Sequence, residues 1–348
     1  MNLVYRYRVK SLNGLLDRQA KAVNFVWNYC NDRQKDALRF NRKWHSGFDL
    51  IKLTTGASKE LGLHSGTIND VCQQYAKSRS QSRRPWLRYR GKKSLGWVPL
   101  KGRELKRHGD AFRFAGNTFR VFLSRPLPEG KITDGTNFSR DRRSNWFLNI
   151  CIEVAEAPLQ AVEFGVGIDL GLKDLATLSS GRKIDAPHFY RKEEAALALA
   201  QRAHKPRRVK AIHAKIANRR RDLLHNATSE IVAAFDHIFV GNINAAGLAK
   251  TSMAKSVYDV SWSTFRNQLR YKAIKHGARY GEVDERFTTQ ICSCCGALPD
   301  SRPKGIADLG VREWTCSDCG AQHNRDLNAA RNILRRGRAT LGVGIPVL

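Results

Sequence analysis

Five of the chain's eight cysteines fall between Cys292 and Cys319, and their spacing dictates a local fold before any other residue is considered. Cys292-Ser-Cys294-Cys295-Gly and Cys316-Ser-Asp-Cys319-Gly stand apart by the twenty residues between Cys295 and Cys316. In each, a short loop ending in Gly turns the backbone so that two thiolates face one ion, and two such knuckles offer four sulfurs as a tetrahedron. The pattern predicts a structural Zn²⁺ held by Cys292, Cys295, Cys316 and Cys319, with Cys294 a bystander close enough to substitute. All four ligands are protein groups, so the site is closed and non-catalytic. A zinc ribbon belongs to a reducing compartment, and Cys30, Cys72 and Cys151 stand singly in apolar settings rather than in a disulfide framework.

The formal net charge is +30, from 61 Lys and Arg against 31 Asp and Glu. An excess of that size repels itself in a compact state and calls for a polyanionic partner, which we read as nucleic acid. A membrane surface is excluded as the partner because the cations are spread along the whole chain. No apolar run approaches the ~20 residues that cross a bilayer, and the first residues have no signal-peptide core, so a soluble, cytoplasmic protein of a prokaryotic type is expected.

Residues 3 to 9 alternate apolar and basic as a strand does. Ser11 is placed to cap a helix whose apolar face is Leu16, Ala20, Val23, Trp27 and Cys30, and a second helical pattern after Ser65 carries Ile68, Val71, Cys72 and Tyr75. From Lys77 to Lys93 basic residues surround aromatics, and Pro85 breaks any helix. Arg79, Arg83, Arg84, Trp86, Arg88, Tyr89, Arg90, Lys92 and Lys93 form a nucleic-acid-binding composition, cations for phosphates and rings for stacking. Short alternating segments follow, so residues 1–10 and 84–157 are expected to build a β-barrel-like domain with a helical module, residues 11–83, inserted in it.

From Phe164 the pattern turns α/β. The run AVEFGVGIDLGLKDL, Ala161 to Leu175, reads as a buried strand with a carboxylate, Asp169, at its exit. Such a group either forms a turn beside Gly171 or holds a metal. A hairpin strand to Gly181, a basic linker around Lys205 to Lys210, a long amphipathic helix, a strand at Ile238–Val240, a helix around Trp262–Gly277 and a strand at Arg279–Asp284 follow. A helix starting near Asp326 comes after the cysteines.

Four segments in this order, GVGIDLGLKDLAT, IFVGNINAAGLAK, the two knuckles and HNRDLNAARNIL, resemble the TnpB family of transposon-encoded RNA-guided DNA nucleases, relatives of compact type V CRISPR effectors. The resemblance spans about residues 160 to 336. It implies an RNase H-like RuvC nuclease domain, residues 160–286 and 323–348, interrupted by a zinc-ribbon insertion, residues 287–322, that contacts target DNA. It also implies a wedge-like barrel and helical recognition module that hold a guide RNA. Guide RNA and double-stranded target DNA are thus the expected partners, and phosphodiester hydrolysis with Mg²⁺ ions about 4 Å apart the expected chemistry. Asp169 matches the first acidic position of the family and Asp326 the last.

The middle position departs from the pattern. The family commonly ends the corresponding strand in an acidic sequence, whereas this chain has Val240-Gly241-Asn242. In an RNase H fold the next parallel strand opens into the same crevice, and at its exit stand Asp284 and Glu285. Glu285, the longer, is expected to complete the site as catalytic residue and Mg²⁺ ligand with Asp169 and Asp326, and Asp259 is a weaker stand-in. If it does not, the resemblance implies a nuclease-inactive RNA-guided repressor. A transposase accessory with no guide is a third reading.

Overall fold

The computed structural model describes residues 1–161, 163–243, 254–304, 308 and 310–340. The middle motif beyond Ile243 and the end of the chain beyond residue 340 lie outside the described residues. The chain divides into two units, Met1–Ala155 and Glu156–Leu348. Among the described residues no helix is long and apolar enough to cross a membrane.

In the first unit, β1 (Asn2–Val9) has strict in-out alternation and buries Leu3, Tyr5, Tyr7 and Val9. It lies antiparallel between β5 (Asn117–Phe122) and β8 (Trp146–Glu153). The sheet continues outward through β7 (Asn137–Arg140) to β2 (Trp97–Pro99), and through β4 (Ala111–Phe114) to β3 (Lys106–His108), while β6 (Lys131–Ile132) pairs β8. No pairing joins β2 to β3 among the described residues, so hydrogen bonds do not close the expected barrel. Between β1 and β2 come α1 (Asn13–Arg39), α2 (Gly47–Leu53), α3 (Ser58–Leu61) and α4 (Ser65–Ser82). Their core gathers Val23, Trp27, Cys30, Leu50, Ile68, Val71, Cys72 and Tyr75, the face that the spacing predicts plus one residue of the unforeseen α2. Ser11 does not cap α1: its hydroxyl accepts the amide of Arg120, 3.1 Å away, and so satisfies an edge of β5.

In the second unit, β9 (Gly165–Leu170), β10 (Asp174–Leu178), β11 (Lys183–Asp185), β12 (His237–Gly241) and β13 (Arg279–Val283) form one sheet in the order β11-β10-β9-β12-β13. The first three strands are a meander, and β9, β12 and β13 are parallel. The expected hairpin gains β11 because Gly181, at φ 91°, makes a second tight turn. The residues expected as a basic linker are helical instead: α5 (Phe189–Arg202) and α6 (Pro206–Ala234) form a hairpin, with Pro206 fixing the first turn of α6. The helices α7 (Ala254–Val260) and α8 (Trp262–His276) precede β13, and α9 (Arg325–Thr340) ends the description.

Period-two alternation sorts this sheet's residues onto two faces. Val166, Ile168, Leu170, Ile238 and Val240 share a core with Leu224, Ala227 and Ile231 of α6 and Phe265 and Leu269 of α8. The opposite face carries Gly167, Asp169, Phe239, Gly241 and Val283, and there α9 packs through Ile333 and Leu334. The approach is close because two glycines permit it: a Cβ on Gly167 would collide with the carbonyl of Ala330, and one on Gly337 with the ring of Phe239. The carboxylate of Asp169 is therefore on the side of the sheet that α9 covers. Gly167→Ala is expected to cost about 3 kcal/mol, since backbone of α9 must shift; a denaturant midpoint equal to the parent's would contradict that contact.

Candidate metal centres

The ribbon begins where β13 ends. Each knuckle is closed by the same pair of bonds: Gly296 N–H to Cys292 O and Cys292 N–H to Ala297 O in the first, Gly320 to Cys316 and Cys316 to Ala321 in the second, all 2.9 Å. Gly296 and Gly320 take φ 80° and 73°, so the sequence needs glycine at both turns. A hairpin of β14 (Glu313–Thr315) and β15 (Gln322–Asn324) carries the second knuckle. The sulfurs of Cys292, Cys295, Cys316 and Cys319 all lie within 4.8 Å of one another, with Cys292 to Cys319 at 3.6 Å and Cys295 to Cys316 at 3.9 Å. Tetrahedral zinc with ~2.3 Å bonds spaces its sulfurs ~3.8 Å apart, so the donor set fits. Cys294 is exposed and stays out of the group. The pattern reading overlooked His323, whose Nε2 lies 3.0 Å from Cys292 Sγ and whose ring packs on Trp314. Its place in the HNRD run, directly before α9, is the only cue in the sequence.

Asp169, Glu285 and Asp326 converge at one end of the sheet. Ile168 pairs with Val240 and Gly241 with Val283, so the strand ends are in step. Glu285, two residues past Val283, falls on the same face, and Asp284 does not; this, rather than length alone, selects Glu285. A Cβ built on Gly241 would lie 3.0 Å from Glu285 Oε2 and 3.4 Å from Glu285 Cβ. The Glu285 side chain thus fills the space that a side chain at 241 would need. Asn242 adds to the arrangement, its Oδ1 accepting the Glu285 amide at 3.3 Å. Asp326 enters from the first turn of α9, where Asn324, not Asp326, accepts a capping bond from the Leu327 amide at 3.3 Å.

Asp326 and Glu285 both repel Asp169. Burial pushes the Asp169 carboxyl well above the usual carboxylate range, and the negative charges of Asp326 and then Glu285 raise it further. Burial also raises Glu285, with Asp284 adding to it. Among the described residues the three carboxylates are more open than the cysteine group, which alone brings three or more donors within 4.8 Å. Arg312, at the start of β14, donates to both oxygens of Asp326 at 3.2 and 3.3 Å. Hard oxygen donors are what a Mg²⁺ site requires, so these residues fit that ion. Asp259, the weaker stand-in, is elsewhere: it is buried, accepts the Tyr190 amide at the start of α5 and pairs with Arg220 at 2.6 Å.

In the first unit the basic and aromatic stretch is splayed out along α1. Asn31 brackets Leu87 with bonds of 2.8 and 2.9 Å, and Asn28 brackets Arg90 with two of 2.8 Å, so two side-chain amides act as a strand edge. Trp86 and Tyr89 consequently face solvent at 48% and 42% exposure, with the Lys35 ammonium 4.6 Å from the Tyr89 ring. Arg83, Arg84, Arg88, Lys92 and Lys93 are exposed. Two expected contacts are corrected. Arg79 is turned inward, because α4 continues to Ser82 and places it against Gln34 and the His45 carbonyl. Arg90 is half-buried between Trp27 and Trp97, its guanidinium 3.9 and 5.0 Å from their centroids.

Residues 149–252 match the OrfB IS605 family profile, described as "Probable transposase", and residues 262–333 match the Cas12f1-like TNB domain. These two stretches carry the IS605-type transposase and Cas12f1-like domains. A candidate RNA-guided DNA endonuclease of Streptomyces pristinaespiralis is 37% identical over 64% of this chain and 57% of its own length. InsQ of Escherichia coli K12, likewise a candidate RNA-guided DNA endonuclease, is 30% identical over 57% of this chain and 56% of its own. The CRISPR-associated endodeoxyribonuclease Cas12f1 of Sulfoacidibacillus thermotolerans is 27% identical over 56% of this chain and 50% of its own. The alignments therefore span about half the length of these relatives. The fold is that of a Cas12f1 solved with sgRNA and target DNA, at TM-score 0.59 and 14% identity, covering 91% of this chain and 81% of that one.

Two measurements check the centres. Elemental analysis is expected to find one zinc per chain, lost in Cys292→Ser and Cys316→Ser; a metal-free parent would refute the cysteine site. In chelator, the raised Asp169 carboxyl makes the folded state bind a proton that the unfolded chain releases at lower pH. Stability therefore falls as pH rises from the unfolded value near ~4 toward the raised folded value. Asp169→Asn is expected to raise the melting temperature in chelator, more at pH 8 than at pH 5, and a parent as stable as the variant at pH 8 would contradict the repulsion.

Proposed function

We propose that the chain is an RNA-guided DNA endonuclease whose second unit is a RuvC-like, RNase H-type nuclease with Asp169, Glu285 and Asp326 as its catalytic acids. The observation that carries this reading is the Glu285 carboxylate at the place left open by Gly241, beside Asp169 and Asp326. A missing central acid would leave two ligands and a repressor; a relocated one leaves three. The sequence change at 241 and 242 then makes sense as a pair, Gly for room and Asn to receive the Glu285 amide.

Mg²⁺ ions held by these three residues would activate water for attack on a phosphodiester and neutralise the leaving oxygen. The protein's part is to hold the acids beside one another at the strand ends, with Asp169 on β9, Glu285 past β13 against Gly241 of β12, and Asp326 on α9. Arg312, shared between the ribbon and Asp326, supplies a cation at the site. The zinc ribbon is the element proposed to meet target DNA. The wedge-like first unit, with its inserted helices, is proposed to hold guide RNA, and Trp86 and Tyr89 with Arg83, Arg84, Arg88, Lys92 and Lys93 offer it rings and cations.

The test is cleavage of a matched target by the protein with its co-purified RNA and Mg²⁺. Asp169→Ala, Glu285→Ala and Asp326→Ala are each expected to cut at least about 100-fold more slowly while still binding RNA and target. Parent-like cutting by Glu285→Ala would end the relocation reading. A parent that binds target but never cuts with any divalent ion would support the repressor instead.

A further inference from the structure

Glu285 stands just past the end of β13, yet the chain on both sides of it is tied to one stripe of α9. On the near side Arg336 donates to the Asp284 carbonyl at 2.6 Å. On the far side the carbonyl of Thr288 accepts from Asn328 at 3.1 Å and Asn332 at 2.8 Å, and the carbonyl of Ile291 from the same two amides at 2.8 and 2.7 Å. The bonding is saturated: two side-chain amides supply four N–H donors, and two carbonyls supply four lone pairs. Asn328, Asn332 and Thr288 are each 1% exposed, so water cannot replace the two bonds to Thr288, while Ile291 is half-buried. The amide oxygens are used too, Asn328 accepting Ser293 N–H at 2.8 Å and Asn332 accepting from Arg335 at 2.9 Å. Thr288 passes the constraint back, its amide and hydroxyl both donating to the Glu285 carbonyl at 3.1 and 2.8 Å.

Residues 328, 332 and 336 recur every four positions and so lie on one side of the helix that also carries Asp326. We propose that Asn328 and Asn332 are positioning residues that set Glu285 at a fixed offset from Asp326, and that this same bridge, through Ile291 and Ser293, couples the zinc knuckle to the acidic site. The chemistry demands asparagine: Asp lacks the donors, and Gln carries them too far out on a longer stem. The proposal rests on Glu285 being an acid of the nuclease site.

The experiment compares the parent RNA-protein complex with Asn332→Asp, which keeps size and the acceptor for Arg335 but removes both donors, and with Asn328→Ser, which removes them without a new charge. Mg²⁺ titrations of cleavage, Mn²⁺ binding by calorimetry, zinc content and RNA binding are measured on each. At least one variant is expected to raise the half-saturating Mg²⁺ about 10-fold or more with RNA binding intact, and excess Mg²⁺ to recover most of the plateau rate. In a Glu285→Ala background the same changes are expected to leave Mn²⁺ binding where Glu285→Ala alone puts it. Unchanged Mg²⁺ dependence in both variants overturns the proposal, as does a loss of RNA binding, zinc and plateau rate in one proportion, the mark of general destabilisation. Should both fail to fold, the proposal of a positioning role is likewise overturned. Parent-like cutting by Glu285→Ala would instead overturn the underlying assignment of Glu285.

Discussion

Repulsion between three carboxylates is the constraint around which the second unit is arranged. Left alone, Asp169 would move away from Asp326 and Glu285 or take up a proton, and its burial sharpens both tendencies. They stay together because each is tied to the sheet or to α9. Asp169 ends a strand paired on both sides, with antiparallel β10 and parallel β12. Asp326 begins a helix that two glycines allow to lie directly on the sheet, Gly167 on β9 and Gly337 against Phe239 of β12. Glu285 has neither advantage, and the backbone around it is tethered by Asn242, just past β12, and by α9.

Much of this was legible in the residues, unevenly and for physical reasons. The cysteine spacing sufficed for the ribbon's four sulfurs, because a knuckle is a local structure with one ligand geometry. The core faces of α1 and α4 followed from periodicity. What escaped were features set by distant partners. The residues near Lys205 looked like a charged linker because exposed cations hide the short apolar stripe of α5 and α6. Arg79 looked like its basic neighbours until α4 was seen to run past it. Ser11 looked like a cap, and a strand took its hydroxyl instead. The choice of Glu285 over Asp284 came within reach of simple alternation, although its contact with the space at Gly241 is a fact of three dimensions.

The ribbon continues directly from the sheet in the chain. β13, the Glu285 turn, the first knuckle, β14, the second knuckle, β15 and α9 follow one another with little chain to spare. His323 on β15 touches a cysteine sulfur, and three residues later Asp326 opens the acidic site. Arg312, just ahead of β14, reaches the same aspartate from the other side. The four cysteines and two of the three acids, Glu285 and Asp326, thus lie on one continuous stretch of backbone, and only Asp169 comes from elsewhere, on β9.

The space shared by Gly241 and Glu285 has a bearing on descent. On the proposed assignment, a family member with its acid on β12 and this chain with its acid past β13 differ at two coupled positions, 241 and 285. Restoring a long side chain at 241 first would press it into Glu285, and losing Glu285 first would empty the site. Any lineage crossing between the two forms must pass through a crowded or an acid-deficient ancestor. The two arrangements should therefore persist as separate branches rather than interconvert freely.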